Sequence, residues 1–216
     1  MTLRPDQISQ LLQPFGLELD GRRVDIVSRY VDLLLRWNRA VNLTAILDPA
    51  EIVTRHFGES MYVTKFADLG RSLLDVGSGA GFPGLAIKIV RTETSTVLLE
   101  PVTKKRAFLK ELIRECALQG VEVLGDRVEN FSLAHRGEFE SVTLRAVGGF
   151  DVVLPAAACC LSRTGRVYAW LTSAEASKLA VETPGFHRWF AWSDPLKVPL
   201  SRDREIWVGR PKQGST

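Results

Sequence analysis

Through residue 68 the apolar positions recur at helical spacing, and from residue 72 the rhythm changes. Pro5-Asp-Gln-Ile-Ser-Gln-Leu-Leu opens a short helix with proline in its first turn. After the Asp20-Gly21 turn, Val24, Val27, Val31, Leu34 and Leu35 keep one face apolar as far as Trp37 and Val41. Pro49 begins a further helical piece through Ile52 and Val53 towards His56. Beyond it, short apolar runs near 72–77, 95–100, 121–125, 141–145 and 165–170 read as strands. Helices near 84–91, 103–119, 150–161 and 173–181 separate or follow them. Such alternation predicts a mostly parallel sheet covered on both faces. The last stretch differs: Phe186–Trp192 and Glu205–Val208 are aromatic-rich and β-prone, with Gly185, Pro195 and Pro199 between or beside them. No helix is expected there, only an antiparallel hairpin or edge.

Composition narrows this picture. With 216 residues and 45% hydrophobic content, the chain forms one core with a small appendage. The expected division is a helical extension over 1–68, an α/β domain over 69–211 and a polar tail over 212–216. No run reaches the ~18–20 apolar residues of a membrane span. Met1-Thr-Leu-Arg-Pro-Asp-Gln lacks the apolar centre of a signal peptide. Cys116, Cys159 and Cys160 are odd in number and sit in apolar or helical patterns, so a reducing cytoplasm is expected. His56, His135 and His187 lack ligand spacing, and no metal is implied. Nothing demands an obligate interface, which favours a monomer. The net charge of +3 permits an RNA partner without requiring one.

The chemistry centres on Leu73-Leu-Asp-Val-Gly-Ser-Gly-Ala-Gly-Phe-Pro-Gly84, an apolar run breaking into closely spaced glycines. It predicts a buried strand, a tight turn that brings a ligand against bare main chain, and a helix starting near Pro83. Val97-Leu-Leu-Glu100 ends a second run in a carboxylate, suited to ribose hydroxyls. The spacing is G-x-G-x-G, whereas a dinucleotide turn reads G-x-G-x-x-G and must clear two phosphates. A turn that cups an uncharged ribose and a methionine tail fits better. Asp75 suits either a methionine ammonium or a local cap of the turn. A parallel sheet closed by an antiparallel C-terminal strand is the form of class I S-adenosylmethionine-dependent methyltransferases: Rossmann-like, seven-stranded, here with an N-terminal helical extension. A nicotinamide-binding domain would add a sixth parallel strand.

Together these residues resemble the glucose-inhibited division protein B family, bacterial enzymes that methylate guanine N7 in small-subunit (16S) ribosomal RNA. The resemblance spans nearly the whole chain. It rests on Trp37-Asn38 with Asn42-Leu43-Thr44, Arg55-His56 with Ser60, the Asp75–Gly84 turn, Lys105-Arg106 with Phe108-Leu109, Arg127 with Glu129, and Arg145-Ala146. It implies that Gly77, Gly79 and Phe82 line the S-adenosylmethionine turn, that Glu100 holds the ribose, and that Val128 and Glu129 flank the adenine. Arg145 would face the cofactor and the incoming base, and His56 would hold the N-terminal helices over the cofactor. Two positions depart from the family pattern: Glu59 stands where aspartate is usual, and Trp170-Leu171 where a lysine then a glycine follow the strand. A missing cation there would weaken RNA binding or shift the substrate.

The reaction makes modest demands. Methyl transfer from a sulfonium is a one-step displacement, and guanine N7 offers a lone pair with no proton to remove. Pyrimidine C5 chemistry would need a cysteine nucleophile, and Cys159-Cys160 read as small core residues. An exocyclic amine target usually brings an Asn/Asp-Pro-Pro-aromatic turn, where this chain has Arg145-Ala-Val-Gly-Gly-Phe150. Arg145 is then a clamp for a carboxylate or phosphate, or a brace paired with Glu129 or Asp75. Arg22, Arg29 and Arg36 lie seven apart on one helical ridge continued by Arg39, and Lys104, Lys105 and Arg106 open the helix after the second strand. These would track an RNA backbone or simply solvate their helices. A nicotinamide oxidoreductase and a non-catalytic ribosome-binding relative are the competing readings.

Overall fold

The computed structural model describes residues 3–183 and 185–212. Apart from Lys212, the expected tail lies outside them. The N-terminal part folds as α1 (Pro5–Leu12), α2 (Gly21–Val41) and a continuous helical segment over 49–65. That segment runs as α3 (Pro49–Glu51), a π-helical stretch Ile52–Gly58, α4 (Glu59–Met61) and a 3₁₀ turn Tyr62–Lys65. Asp20 caps α2 by accepting from the Arg23 N–H, and Asp48 does the same for Glu51.

Strand and helix then alternate: β1 (Ser72–Val76), α5 (Gly84–Val90), β2 (Ser95–Leu99), α6 (Thr103–Glu115), β3 (Val121–Leu124), α7 (Val128–Ala134), β4 (Phe139–Arg145), α8 (Phe150–Cys160) and β5 (Leu161–Thr172). The chain finishes with α9 (Ser173–Glu182), α10 (Phe186–Trp189), β6 (Phe190–Trp192), β7 (Leu196–Lys197) and β8 (Arg204–Pro211). The sheet order is β3-β2-β1-β4-β5-β8-β6, with β7 also on β8. The first five strands are parallel, and β8 enters antiparallel beside β5. β6 and β7 occupy the same edge of β8, Trp192 opposite Gly209 and Leu196 opposite Ile206. They are two pieces of one interrupted strand, so the sheet has seven strand positions. The switch point lies between β1 and β4, where ligands bind in open α/β sheets.

Period-two alternation sends neighbouring residues to opposite layers. Leu73, Leu98, Tyr168 and Trp170 join one buried cluster with α5, α6 and the N-terminal helices. Leu74, Leu99, Ala169 and Leu171 join the other with α7, α8, α9 and α10. The N-terminal helices thus share the core of the α5–α6 face.

Two expectations need correction, and one element was not expected. The helix expected over 103–119 stops at Glu115, because Ala117 takes a left-handed conformation (φ 49°) and Leu118 N–H closes onto Ile113 O. Alanine at a position glycine usually fills hid that stop. Phe186–Trp189, expected to be extended, is a helical turn, with Phe186 buried and stacked on Trp192 at 4.9 Å. α7, seven residues long, was not foreseen at all.

Candidate functional site

The glycine turn crosses the C-terminal ends of β1 and β2. Gly77 and Ser78 N–H both donate to Leu99 O, at 2.9 and 3.0 Å, which folds the turn over the end of β2. Gly77 is left-handed (φ 69°), and a Cβ there would sit 2.8 Å from Val147 Cγ1. At Gly79 (φ 56°) a Cβ would meet only Gly77 O, so the main chain there faces open space. Glu100, buried at the end of β2, accepts from Gly79 N–H through Oε2 and from Val102 N–H through Oε1, each at 2.8 Å. Its carboxylate therefore ties the turn to the start of α6 and still has lone pairs for a ligand hydroxyl.

Two cavities meet here. One, of about 300 Å³, is lined by Gly77, Glu100, Lys105, Val128 and Glu129 together with Ala146. The other, of about 200 Å³, is lined by Gly77, Gly79, Phe82, His56, Lys105 and Arg145. The residues expected around a cofactor thus converge from β1, β2, α7 and β4.

An aromatic column backs the second cavity. Phe82 stacks between Tyr30 (5.1 Å) and His56 (4.8 Å), with Phe57 edge-on. Tyr30 O–H donates to Ala80 O at 2.5 Å and so holds the turn from α2. Asn38 clamps the loop after α2, accepting from Leu43 and Thr44 N–H and donating to Thr44 O. Thr44 Oγ1 lies 2.8 Å from His56 Nε2. Burial pushes the His56 ring down to about 3, so it is neutral at ordinary pH, and its Nδ1 has no partner among the described residues. Asp75 is fully buried beside the turn; burial raises its carboxyl to about 6, against the Thr143 hydrogen bond at 2.7 Å that lowers it. Its Oδ2 has no hydrogen bond among the described residues.

Arg145 faces the N-terminal segment. Nη1 donates to Ser60 Oγ at 2.8 Å, and Nη2 donates to Arg55 O at 2.7 Å and Glu59 Oε2 at 2.9 Å. It pairs with Glu59, and neither Glu129 nor Asp75 is its partner. Burial pulls Arg145 down to about 10, where it stays charged, and raises Glu59. Trp170, buried beside it in register on β5, donates Nε1–H to Glu59 O at 2.9 Å. The two departures from the family pattern therefore touch each other, and Trp170 braces the segment that holds Arg145.

The cations divide. Arg36, Arg39 and Lys104 are exposed. Lys105 instead lines both cavities. Arg106 spends its guanidinium on Glu100 O, Pro101 O and Thr103 Oγ1, bracing the end of β2. Sequence reasoning missed Tyr30 and Thr143 as site supports; both sit among mixed polar and apolar positions without a motif of their own. Lys105 carried a signal, five residues past the strand-ending acid on the first turn of α6. No group of His, Cys, Asp or Glu that could hold a metal occurs among the described residues, nor any helix long and apolar enough to cross a membrane.

Residues 23–184 match the family model described as rRNA small subunit methyltransferase G. A ribosomal RNA small subunit methyltransferase G of Roseiflexus sp. (strain RS-1) is 43% identical over 145 residues, 66% of this chain and 62% of that protein. One from Desulfitobacterium hafniense is 37% identical over 155 residues, 71% of this chain and 64% of that protein. The match spans less than two thirds of the length of these relatives. Among solved structures, a SAM-dependent methyltransferase from Aquifex aeolicus superposes with a TM-score of 0.59 at 15% identity, covering 75% of this chain and 93% of that one. The T. thermophilus 16S rRNA N2 G1207 methyltransferase, in complex with AdoMet and guanosine, gives 0.52 at 17% identity, over 73% and 40%. These likenesses establish the class I methyltransferase fold.

Proposed function

From the premise that the chain belongs to the rRNA small subunit methyltransferase G family, we propose that it is an S-adenosylmethionine-dependent methyltransferase acting on guanine N7 in small-subunit (16S) ribosomal RNA. The observation that carries this reading is the joined cavity where the glycine turn, Glu100 and the Val128–Glu129 start of α7 converge. These residues fit the cofactor. The bare backbone at Gly79 leaves room for it, Glu100 keeps acceptor capacity for ribose hydroxyls, and Val128 and Glu129 offer an apolar wall with a polar edge for the adenine. Asp75 Oδ2, buried and without a hydrogen bond among the described residues, is an acceptor for a methionine ammonium. S-adenosylmethionine, when bound, supplies the electrophilic methyl group.

The chain's own residues hold and orient. His56 is neutral and packed against Phe82, so it excludes water and takes no proton near neutrality. That agrees with a target nitrogen that has no proton to lose. Lys105 places a cation in the lining of both cavities, suited to the methionine carboxylate. Arg145 acts as a positioning group, fixing the 55–60 segment over the turn, because its terminal nitrogens are already engaged there. The N-terminal helices serve as the cap of the site through Tyr30, Leu43 and His56, and Arg36, Arg39 and Lys104 as phosphate contacts.

The test is transfer of labelled methyl from S-adenosylmethionine to small ribosomal subunits lacking their N7-methylguanosine, followed by nuclease digestion and mass spectrometry. N7-methylguanosine is the expected product. Binding of S-adenosylhomocysteine without any methylated nucleotide would overturn the activity and leave the fold standing.

A further inference from the structure

A third cavity, of about 330 Å³, adjoins the cofactor site through the β4–α8 loop. Ala146 lines all three cavities, and Val147 and Gly148 line this one and the Glu100 cavity. Its far wall is the start of α8 and one face of α9, with Phe150, Asp151, Lys178 and Leu179. Phe150 is half-buried, which makes it the aromatic surface on that wall. Of the two carboxylates lining it, Glu175 is committed: its Oε2 accepts from Thr172 N–H at 2.7 Å and from Arg204. Asp151 is exposed, with no hydrogen-bond or ion-pair partner among the described residues. Lys178, at the rim of the cavity with its side chain largely exposed, reaches Glu182 only at 3.6 Å.

We propose that this cavity receives a guanine base turned out of its stack, with Phe150 against the ring and Asp151 reading its pairing edge. The assignment rests on the methyltransferase reading above. The chemistry selects the base. Guanine presents adjacent N1–H and N2–H donors to a carboxylate and an O6 acceptor to an ammonium, the pairing that Asp151 and Lys178 offer. Adenine would set its N1 lone pair against the Asp151 carboxylate, and cytosine its N3. N7 of guanine lies on the adjoining edge beside O6, away from N2, so it stays free when N1 and N2 are bound. A base held at α8 and α9 by its N1 and N2 donors would have N7 free to face Ala146, the residue that all three cavities share. Reading an extruded base by its pairing edge and an aromatic face is a general solution for enzymes that modify bases.

The experiment compares Asp151→Ala, Phe150→Ala and Phe150→Tyr with the unaltered chain by kcat/KM for methyl transfer to unmethylated small subunits, and by S-adenosylhomocysteine affinity. Both alanine variants should lose about 10- to 100-fold in kcat/KM, the worth of a good base-edge contact, while S-adenosylhomocysteine affinity stays within about two-fold. Phe150→Tyr should recover part of the loss. A parallel saturation-transfer measurement with GMP and AMP, in the presence of S-adenosylhomocysteine, should favour GMP in the unaltered chain and lose that preference in Asp151→Ala. Normal kcat/KM in both alanine variants overturns the cavity assignment and leaves the activity intact. A GMP preference that depends on Asp151, in a chain that moves no methyl to RNA, overturns the activity and supports the cavity.

Discussion

Asp75 shows what one residue costs and supplies. Burial raises its carboxyl to about 6, above the ordinary 3.8. A folded-state pKa above the unfolded value means the stabilisation is fully present below 3.8 and is lost as pH rises through 6. Between pH 4.5 and 8 that loss is about 2 kcal/mol. Asp75→Asn should lack it, so its stability relative to the unaltered chain should improve by that amount across the interval. The contribution of His56, pushed down to about 3, cancels in the comparison because both chains carry it. Denaturant melts at the two pH values check this, and a pH-independent difference would remove the assigned cause. The same variant should bind S-adenosylhomocysteine more weakly if Oδ2 serves a methionine ammonium. At this scale the glycine turn and Glu100 were legible because their chemistry is local. Arg145 was legible only as a cation near the site. Its partner Glu59 is 86 residues away, and no spacing rule reaches that far. Arg106 reads as a surface cation until its carbonyl acceptors are seen.

Elements with strong periodicity could be read from the chain; those set by tertiary contacts could not. α2 and the five parallel strands follow their apolar pattern because each buries one defined face or both. α7 and α10 are too short for a period to emerge, and the aromatics of Phe186–Trp189 favour strands until packing against Trp192 and Trp207 decides otherwise. What α2 does for the site was equally hidden. Its buried Tyr30 reaches across to the glycine turn through the Ala80 carbonyl and the face of Phe82. Tyr30→Phe would keep the stack and leave that carbonyl without its donor, which costs about 1–2 kcal/mol in a buried setting. The thermal midpoint should fall accordingly, and S-adenosylhomocysteine should bind more weakly because the turn loses a tether. A variant with unchanged midpoint and affinity would show that the turn holds its shape without α2.

For the whole molecule, the proposed RNA substrate raises the question of how a chain with a net charge of only +3 would engage a polyanion. Its charge need not be large if the free cations stand together. Trp37 on α2 meets Phe108 on α6 with ring centroids 5.9 Å apart, so the end of α2 lies beside the start of α6. Exposed Arg36 and Arg39 flank Trp37 along α2, exposed Lys104 lies one turn before Phe108 on α6, and Lys105 next to it lines both cavities. Leu43, just past α2, lines the second cavity. In the proposed reaction, a strand of RNA that delivers a base to Ala146 would run past this group. Arg106 lies within the same stretch but spends its donors on its own backbone, which places it outside the group. Each phosphate contact releases condensed counterions and adds about 0.7 to 0.9 to the slope of log affinity against log salt. Removing Arg36, Arg39 and Lys104 together should flatten that slope by about 2 to 3 and weaken RNA binding at low salt without altering S-adenosylhomocysteine affinity. Arg106→Ala should instead disturb the end of β2, so that cofactor affinity falls while the salt slope holds. If the triple variant keeps the original slope, RNA reaches the site across another face of the molecule.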